Sequence, residues 1–379
     1  MIEGPPPVFA RAVAPPLFVG SDIYRGSSYG TRHPLRVPRV STVMDLGRAL
    51  GWLPPDRFRT SPRAKPAALA LWHDPAYIAA LQDAETLGEA TEEMRRHFHL
   101  GTLSNPVFPE VYRRPATGAG GVMFAAEMLA VTPGVIHVPG GGTHHGLPGR
   151  ANGFCYLNDV VLGIKVLQRS LTRIAYVDLD AHHCDGVEMA FAGDHGVRMI
   201  SVHEEGRWPF SGALTDTAGG SAFNLPVPKG YNDSEARAVL HGLILPRIDE
   251  FRPQALVVQC GADGLLEDPL SRLALSNRAY LETIRALLPL SPRVLLLGGG
   301  GYNPWSVGRL WTAIWGLVSG QEMPDHLPDA ARSVLAALGW GGGGRPEPEP
   351  ALLTTLLDAP REGPVRADIR DRLAQLARR

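Results

Sequence analysis

The sequence predicts an α/β fold: a single domain with a doubly wound, mainly parallel sheet flanked by helices. Three observations predict it. Five short apolar, β-branched runs each end abruptly in glycines and polar residues. Helical patterns fall between most of those runs. No internal repeat of solenoid or propeller period competes with that alternation.

The five runs are Gly134–Val138, Arg173–Val177, Arg198–Val202, Ala255–Gln259 and Arg293–Leu297. Near-continuous apolar runs of this length read as strands covered on both faces. The stretches Asn158–Ser170, Ser234–Phe251 and Ser276–Leu288 have helical spacing, and strand–helix alternation implies parallel crossovers. The N-terminal hundred residues look more helical, with Thr42–Gly51 and Asp74–Ala84 as candidates. Gly341–Gly344, followed by Arg345-Pro346-Glu347-Pro348-Glu349-Pro350, reads as a linker. The domain is therefore expected over residues 1–340. A Gly/Pro-rich linker and a helical tail, with its helix in Arg366–Arg379, fill 341–379.

Bulk properties narrow the function. A net charge of −1 gives no basic footprint for nucleic acid, and no apolar run reaches the 18 or so residues of a membrane span. The start, Met1-Ile2-Glu3-Gly4 and then three prolines, lacks the layout of a signal peptide. Cys155, Cys184 and Cys260 are too few for a disulfide framework, and their odd number points to a reducing, cytoplasmic setting. Three lysines against 34 arginines point to a GC-rich bacterial genome rather than to a function.

In open parallel sheets, ligands bind beyond the carboxyl ends of the strands. Here the loops after all five runs carry the chemistry. They contain Gly140–Gly146 with His144 and His145; Asp178–Gly186; His203–Phe210; Gly261-Ala262-Asp263; and Gly298–Asn303 with Tyr302. Asp178, Asp180 and His182 alternate, so an extended chain puts them on one face. Asp180 and His182 offer an oxygen and a nitrogen to one cation, with Asp263 as third ligand. Two carboxylates and one imidazole leave open positions, the pattern of a catalytic zinc. A lone Asp-x-His is usually structural; a third carboxylate after a neighbouring strand and a facing His pair tip the balance. His144 and His145 can be extra ligands, acid/base groups or merely satisfied polar residues. Asp178 and Asp185 are at hand to orient them, which suits a general base and acid. Tyr302 is either an aromatic resting on the core or a phenol aimed at a carbonyl oxygen that gains charge. The glycines before it, Gly300 and Gly301 among them, let backbone approach a substrate.

Together these segments resemble the histone deacetylase family, which includes bacterial acetoin-utilisation proteins and acetylpolyamine hydrolases. The resemblance runs from about Phe18 to Gly320, and Gly153–Asp159, Gly261–Asp263 and Gly298–Tyr302 are nearly verbatim. His203–Arg207, Phe210-Ser211-Gly212 and Asn105–Phe108 are most similar to the acetoin-utilisation branch. The resemblance implies an arginase/deacetylase-like fold and hydrolysis of an acyl-amine or acyl-lysine amide. It implies one Zn2+ on Asp180, His182 and Asp263. His144 and His145 become the acid/base pair, backed by Asp178 and Asp185, and Tyr302 polarises the carbonyl. Phe154 and Phe210 are implied as channel walls, with Gly153, Gly300 and Gly301 beside them, Leu270 at the mouth and Arg39 at the inner end. A K+ is implied at Asp178, Asp180, His182, Ser201 and Val202.

The chain departs from that family in three places. Cys184 replaces a glycine, Ser211 a common proline, and Ser104 an acidic residue that clamps peptide backbone in eukaryotic members. The last departure counts against a protein substrate. His33, His73, His137 and His203 are read as structural, His183 as a buried partner, Cys155 as packing, and Trp208 and Arg207 as entrance cap or surface. The competing readings are a dinuclear ureohydrolase of arginase type, which needs two metals and more ligands, and a non-catalytic acyl-amine-binding module, which should have lost a ligand or Tyr302.

Overall fold

A computed structural model describes residues 14–31, 33–341 and 347–379. The opening segment and most of the expected glycine linker lie outside the described residues. The eight strands are β1 (Leu17–Gly20), β2 (Phe58–Thr60), β3 (Gly134–Val138), β4 (Ile174–Asp178), β5 (Val197–Glu204), β6 (Ala222–Val227), β7 (Ala255–Gln259) and β8 (Arg293–Leu297). They form one sheet in the order β2-β1-β3-β8-β7-β4-β5-β6, every pair parallel.

All five predicted runs are strands, and five neighbouring ones: β3, β8, β7, β4 and β5. Within β4, Ala175 and Val177 pack into one core while Ile174 and Tyr176 pack into the other. A strand buried on both faces needs apolar residues at every position, which is why these runs read as continuous. The strands that sequence reasoning missed lie towards the edges. β1 and β2 are only four and three residues long. β6 contains Pro226, which argues against a strand, yet β6 pairs only with β5, and an edge tolerates the missing N–H.

The helices read from sequence appear as Val40–Ala49, Pro75–Leu87, Asp159–Leu167, a run from Asp233 to Phe251 with a central π turn, Asn277–Leu287 and Ala367–Ala377. Two long helices were not foreseen. Arg113–Val131 carries Gly118, Gly120 and Gly121 in its interior, which lowers its propensity. A Cβ on Gly120 would stand 2.1 Å from Pro62 O, so close approach to that segment requires glycine. Pro304–Val318 is apolar nearly all round and wholly enclosed on most faces, so it lacks an amphipathic pattern. Its indoles donate to Leu335 O, Cys260 O and Trp52 O from Trp305, Trp311 and Trp315. No helix among the described residues is long and apolar enough to cross a membrane.

Candidate metal and catalytic centre

Because the sheet is all parallel, the carboxyl ends of its central strands open on one rim. Asp178 ends β4, and Asp180 and His182 follow it; Asp263 sits on the short turn Ala262–Gly264 after β7. One atom each from Asp180, His182 and Asp263 lie within 4.8 Å of one another. His182 Nδ1 is 3.2 Å from Asp180 Oδ1 and 2.9 Å from Asp263 Oδ2. Backbone N–H groups aim the carboxylates: Gly300 N donates to Asp180 Oδ2 at 2.6 Å and Ala181 N to Asp263 Oδ1 at 2.9 Å. A Cβ on Gly261 or Gly300 would fall 2.1 Å from Asp180 Oδ2 or Asp263 Oδ2. Those glycines let the β7 and β8 loops close on the carboxylates.

Burial alone would lower His182 and raise Asp180; their mutual attraction reverses both. His182 is pushed up to about 10 by Asp180 and Asp263. His144, His182 and the Gly300 N–H hold Asp180 well below the carboxylate range. Asp263, buried and facing the Asp180 charge, is raised to about 6. Two carboxylates crowding one imidazole fit a catalytic zinc held by three protein ligands.

The histidine pair is built from the β3 loop. Asp159, first residue of the helix Asp159–Leu167, accepts from Gly142 N (2.7 Å) and Thr143 N (3.2 Å), and Asn158 Nδ2 donates to His144 O and Gly146 O at 3.1 and 3.0 Å. His144 Nδ1 lies 2.7 Å from Asp178 Oδ2, and His145 Nδ1 2.6 Å from Asp185 Oδ1. Asn152 Nδ2 donates to the other Asp185 oxygen at 3.0 Å. Burial opposes a charge on either ring. For His144 the charges of Asp178 and Asp180 overcome burial and raise it to about 9. For His145 burial, reinforced by cationic His144, lowers it to about 4.

Tyr302 is buried, and its hydroxyl is held well above its ordinary pKa by burial and by Asp263 and Asp180. Asp268 fixes its backbone, accepting from Tyr302 N at 2.6 Å and from Leu270 N at 2.9 Å. Arg39 donates to Gly299 O at 2.7 Å and lies over the Trp311 ring.

An outer cavity of about 590 Å³ opens to solvent, and an inner one of about 40 Å³ reaches Arg39, Asp180 and Gly300. Both are lined by His145, Gly153, Phe154, His182 and Tyr302, which therefore mark the neck. Leu270 lines the outer cavity. Gly301 lines neither; its φ of +131° shapes the turn before Tyr302. Phe210 also lines the outer cavity but is 76 % exposed. Trp208 lines the same outer cavity and is about one-third exposed, but sits against the neck: its indole lies edge-on to His145 at 4.6 Å, and a Cβ on Gly153 would meet it at 2.1 Å. The sequence gives no cue to this difference, because both aromatics occupy one loop and only its path decides which is the more enclosed.

Ser201 pairs in register with Asp178 and its Oγ lies 2.9 Å from His203 Nδ1; Val202 beside it is buried. His183 lies between Ser211 Oγ (2.9 Å) and Glu188 Oε2 (3.2 Å), not among the candidate ligands. His33 accepts from Leu35 N and His73 from Asn158 N, and His203, on β5, is bonded to Gly212 O. Cys184 has φ of −81°, so the position does not require glycine. The three cysteines are buried and free, and burial raises each thiol, which leaves none as a nucleophile. Asn152, Asn158, Asp159 and Asp268 support this centre without having been assigned a role from sequence.

The histone deacetylase domain profile matches residues 33–318. Putative histone deacetylase 2 of Caenorhabditis elegans is 32 % identical over 311 residues, covering 79 % of this chain and 61 % of its own length. Histone deacetylase 8 of Xenopus tropicalis is 32 % identical over 303 residues, with 78 % and 82 % covered. A histone deacetylase homolog from Aquifex aeolicus superposes with a TM-score of 0.90 at 33 % identity, covering 96 % of this chain and all of the other. A homolog solved in complex with SAHA gives a TM-score of 0.89 at 33 % identity and the same coverage. The chain spans about three fifths of the length of the first curated relatives it matches. Fold and site define an α/β protein with a buried Asp-His-Asp group able to bind a metal at the carboxyl end of a parallel sheet. The chain belongs to the histone deacetylase family.

Proposed function

We propose that this chain is a zinc-dependent hydrolase that removes acetyl or other acyl groups from amines. One observation carries the reading: the Asp180–His182–Asp263 trio, two His–Asp pairs and a buried tyrosine meet at one cavity neck. Asp180, His182 and Asp263 would hold the ion, which supplies a Lewis acid and lowers the pKa of water. His145 points Nδ1 at Asp185, an acceptor, so Nδ1 carries the proton and Nε2 is a free base. That nitrogen takes the proton of the attacking water and passes one to the departing amine. His144, cationic beside Asp178, adds positive charge next to the reacting centre. The Tyr302 hydroxyl, kept protonated, donates to the carbonyl oxygen as it gains charge. Phe154, Trp208 and Gly153 form a slot for the amine's chain, with Phe210 and Leu270 further out. Arg39 faces the inner cavity, on the side where the acyl group would lie.

We also assign a potassium ion to Asp178, Asp180, His182, Ser201 and Val202, the acetoin-utilisation branch from His203–Arg207, and a bacterial cytoplasmic setting from arginine use and free cysteines. The substrate class is an acyl-lysine or small acyl amine. Metal counting tests the core of this reading. The purified protein should bind one catalytic divalent ion per chain, and Asp263→Ala should lose that ion together with activity on an acetyl-lysine reporter. Hydroxamates should inhibit by chelation through the open positions. Two tightly held transition-metal ions per chain would overturn it in favour of a ureohydrolase.

A further inference from the structure

The match to the family ends at residue 318, yet the C-terminal segment is bonded to both sides of the cavity rim. Its helices Pro350–Thr354 and Ala367–Ala377 place Leu352, Ile369 and Leu376 in the core, and Leu356 between them is buried too. The segment supplies the partners of a buried cation. Arg309, 1 % exposed on the helix that follows Tyr302, donates to Thr355 O at 2.7 Å and to Asp358 Oδ1 at 2.6 Å. Removing a partner from such a pair would strand a buried charge. Two arginines of the segment itself pair with residues beside the rim. Arg361 pairs with Glu267, whose carbonyl accepts from Asn303 Nδ2 at 3.2 Å; Glu267 precedes Asp268, which pins Tyr302 N and Leu270 N. Arg372 pairs with Glu205 at 2.9 Å and donates to Pro226 O at 2.6 Å. Glu205 follows Glu204, which holds Arg207 and thereby the loop carrying Trp208.

We infer that the C-terminal segment is a working part of the catalytic rim: Arg361 positions the Tyr302 turn and Arg372 positions the Trp208 loop. Both are positioning residues and touch no reacting atom. Part-exposed ion pairs contribute only about 1 kcal/mol, so their loss should loosen a loop rather than unfold the chain. The kinetic side of this inference rests on the proposed deacylase reading; the structural side does not.

Hydrogen exchange on the full-length protein separates the two. Arg372→Ala should speed exchange roughly fivefold in residues 204–212 and leave 298–303 unchanged; Arg361→Ala should do the opposite. Arg237→Ala removes an exposed tail-to-domain ion pair, to Glu362, that touches no rim residue, and should change neither. Exchanging the charges of the outer pair, Glu205→Arg with Arg372→Glu, should restore protection. On an acetyl-lysine reporter, Arg361→Ala should lower kcat and Arg372→Ala should raise KM. Exchange in both rim segments indistinguishable from Arg237→Ala, or no rescue by the exchanged pair, would overturn the inference. A wild-type protein without deacylase activity would sink the enzymatic reading and leave the exchange test standing.

Discussion

His144 and His145 are neighbours in sequence with ring centroids 3.9 Å apart, and their surroundings drive them to opposite protonation states. His144 faces both Asp178 and Asp180 and is raised to about 9; His145 faces only Asp185, beside a cation, and is lowered to about 4. Two like groups whose environments push them apart are the mark of divided acid/base roles.

That division predicts a pH profile. A base that must be neutral fails when it takes a proton, so kcat/KM should be flat through pH 7 and fall on acidification towards pH 4. His145→Ala should lower kcat by about 10²–10⁴, the usual range for a positioned acid/base group. Asp185→Asn should cost less. Because the Asp185 charge raises His145, that variant's acid limb should move to lower pH. A profile governed by a group near pH 6.5 would refute the assignment of a lowered His145.

Tyr302→Phe should cost about 2.7–4 kcal/mol of transition-state stabilisation, on the order of 10²–10³ in kcat. Asp268 holds the Tyr302 backbone and the metal trio lies on other loops, so metal content should stay at the wild-type level. Wild-type kcat in this variant would mean that the phenol only packs.

Trp208 and Phe210 should differ sharply. The indole, about one-third exposed, packs against Gly153 and His145 of the neck, whereas Phe210 is three-quarters exposed. Trp208→Ala should widen the slot, improving bulky amides relative to acetyl-lysine amide; Phe210→Ala should change that ratio less than twofold, within the scatter of exposed substitutions. The reverse ranking would restore Phe210 as the inner wall.

The five central strands and the candidate ligands Asp180 and His182 are legible because each rests on a local signal, a doubly buried run or alternation beyond it; Asp263 is legible only as an acid beyond another such strand. What the sequence reading missed depends on distant contacts. Arg113–Val131 hid behind glycines that only a neighbouring segment explains, and β6 behind a proline that only an edge position permits. Asp268 looks like any turn acid until Tyr302 N is seen on it. Trp208 and Phe210 differ only in how one loop folds.

Stability should fall with acid through histidines kept neutral by burial. His73 and His137 are lowered to about 4 and His203 to about 3, against an ordinary 6.5. Between those values the unfolded chain binds protons that the folded chain refuses, so stability rises with pH across that window. Tm should therefore drop steadily from pH 6.5 towards 4. A flat Tm over that range would show that these rings are protonated or reached by water in the native state.

Peptide context should matter little to the rate. Where peptide-processing members of the family are expected to carry an acid, this chain has Leu103-Ser104-Asn105. Leu103 is almost fully exposed, Ser104 O is held by His33 Nε2 at 3.2 Å, and Asn105 Oδ1 accepts from Phe154 N at 3.1 Å. Carboxylates from the facing loop do not substitute. Glu204 accepts from the Arg207 guanidinium at 2.5 and 2.9 Å and from Arg272 N at 2.8 Å, and Glu205 is paired with Arg372. The described residues lining the outer cavity therefore include no carboxylate left free for substrate N–H groups. A charge-assisted bond to such a group contributes about 1.5–3 kcal/mol, or roughly tenfold to a hundredfold in binding. Without it, kcat/KM for acetyl-lysine amide and for acetylated peptides of varied sequence should agree within about tenfold. Ser104→Asp should then raise kcat/KM for peptides while leaving acetyl-lysine amide unchanged. A hundredfold wild-type preference for one peptide sequence would point instead to a dedicated protein substrate.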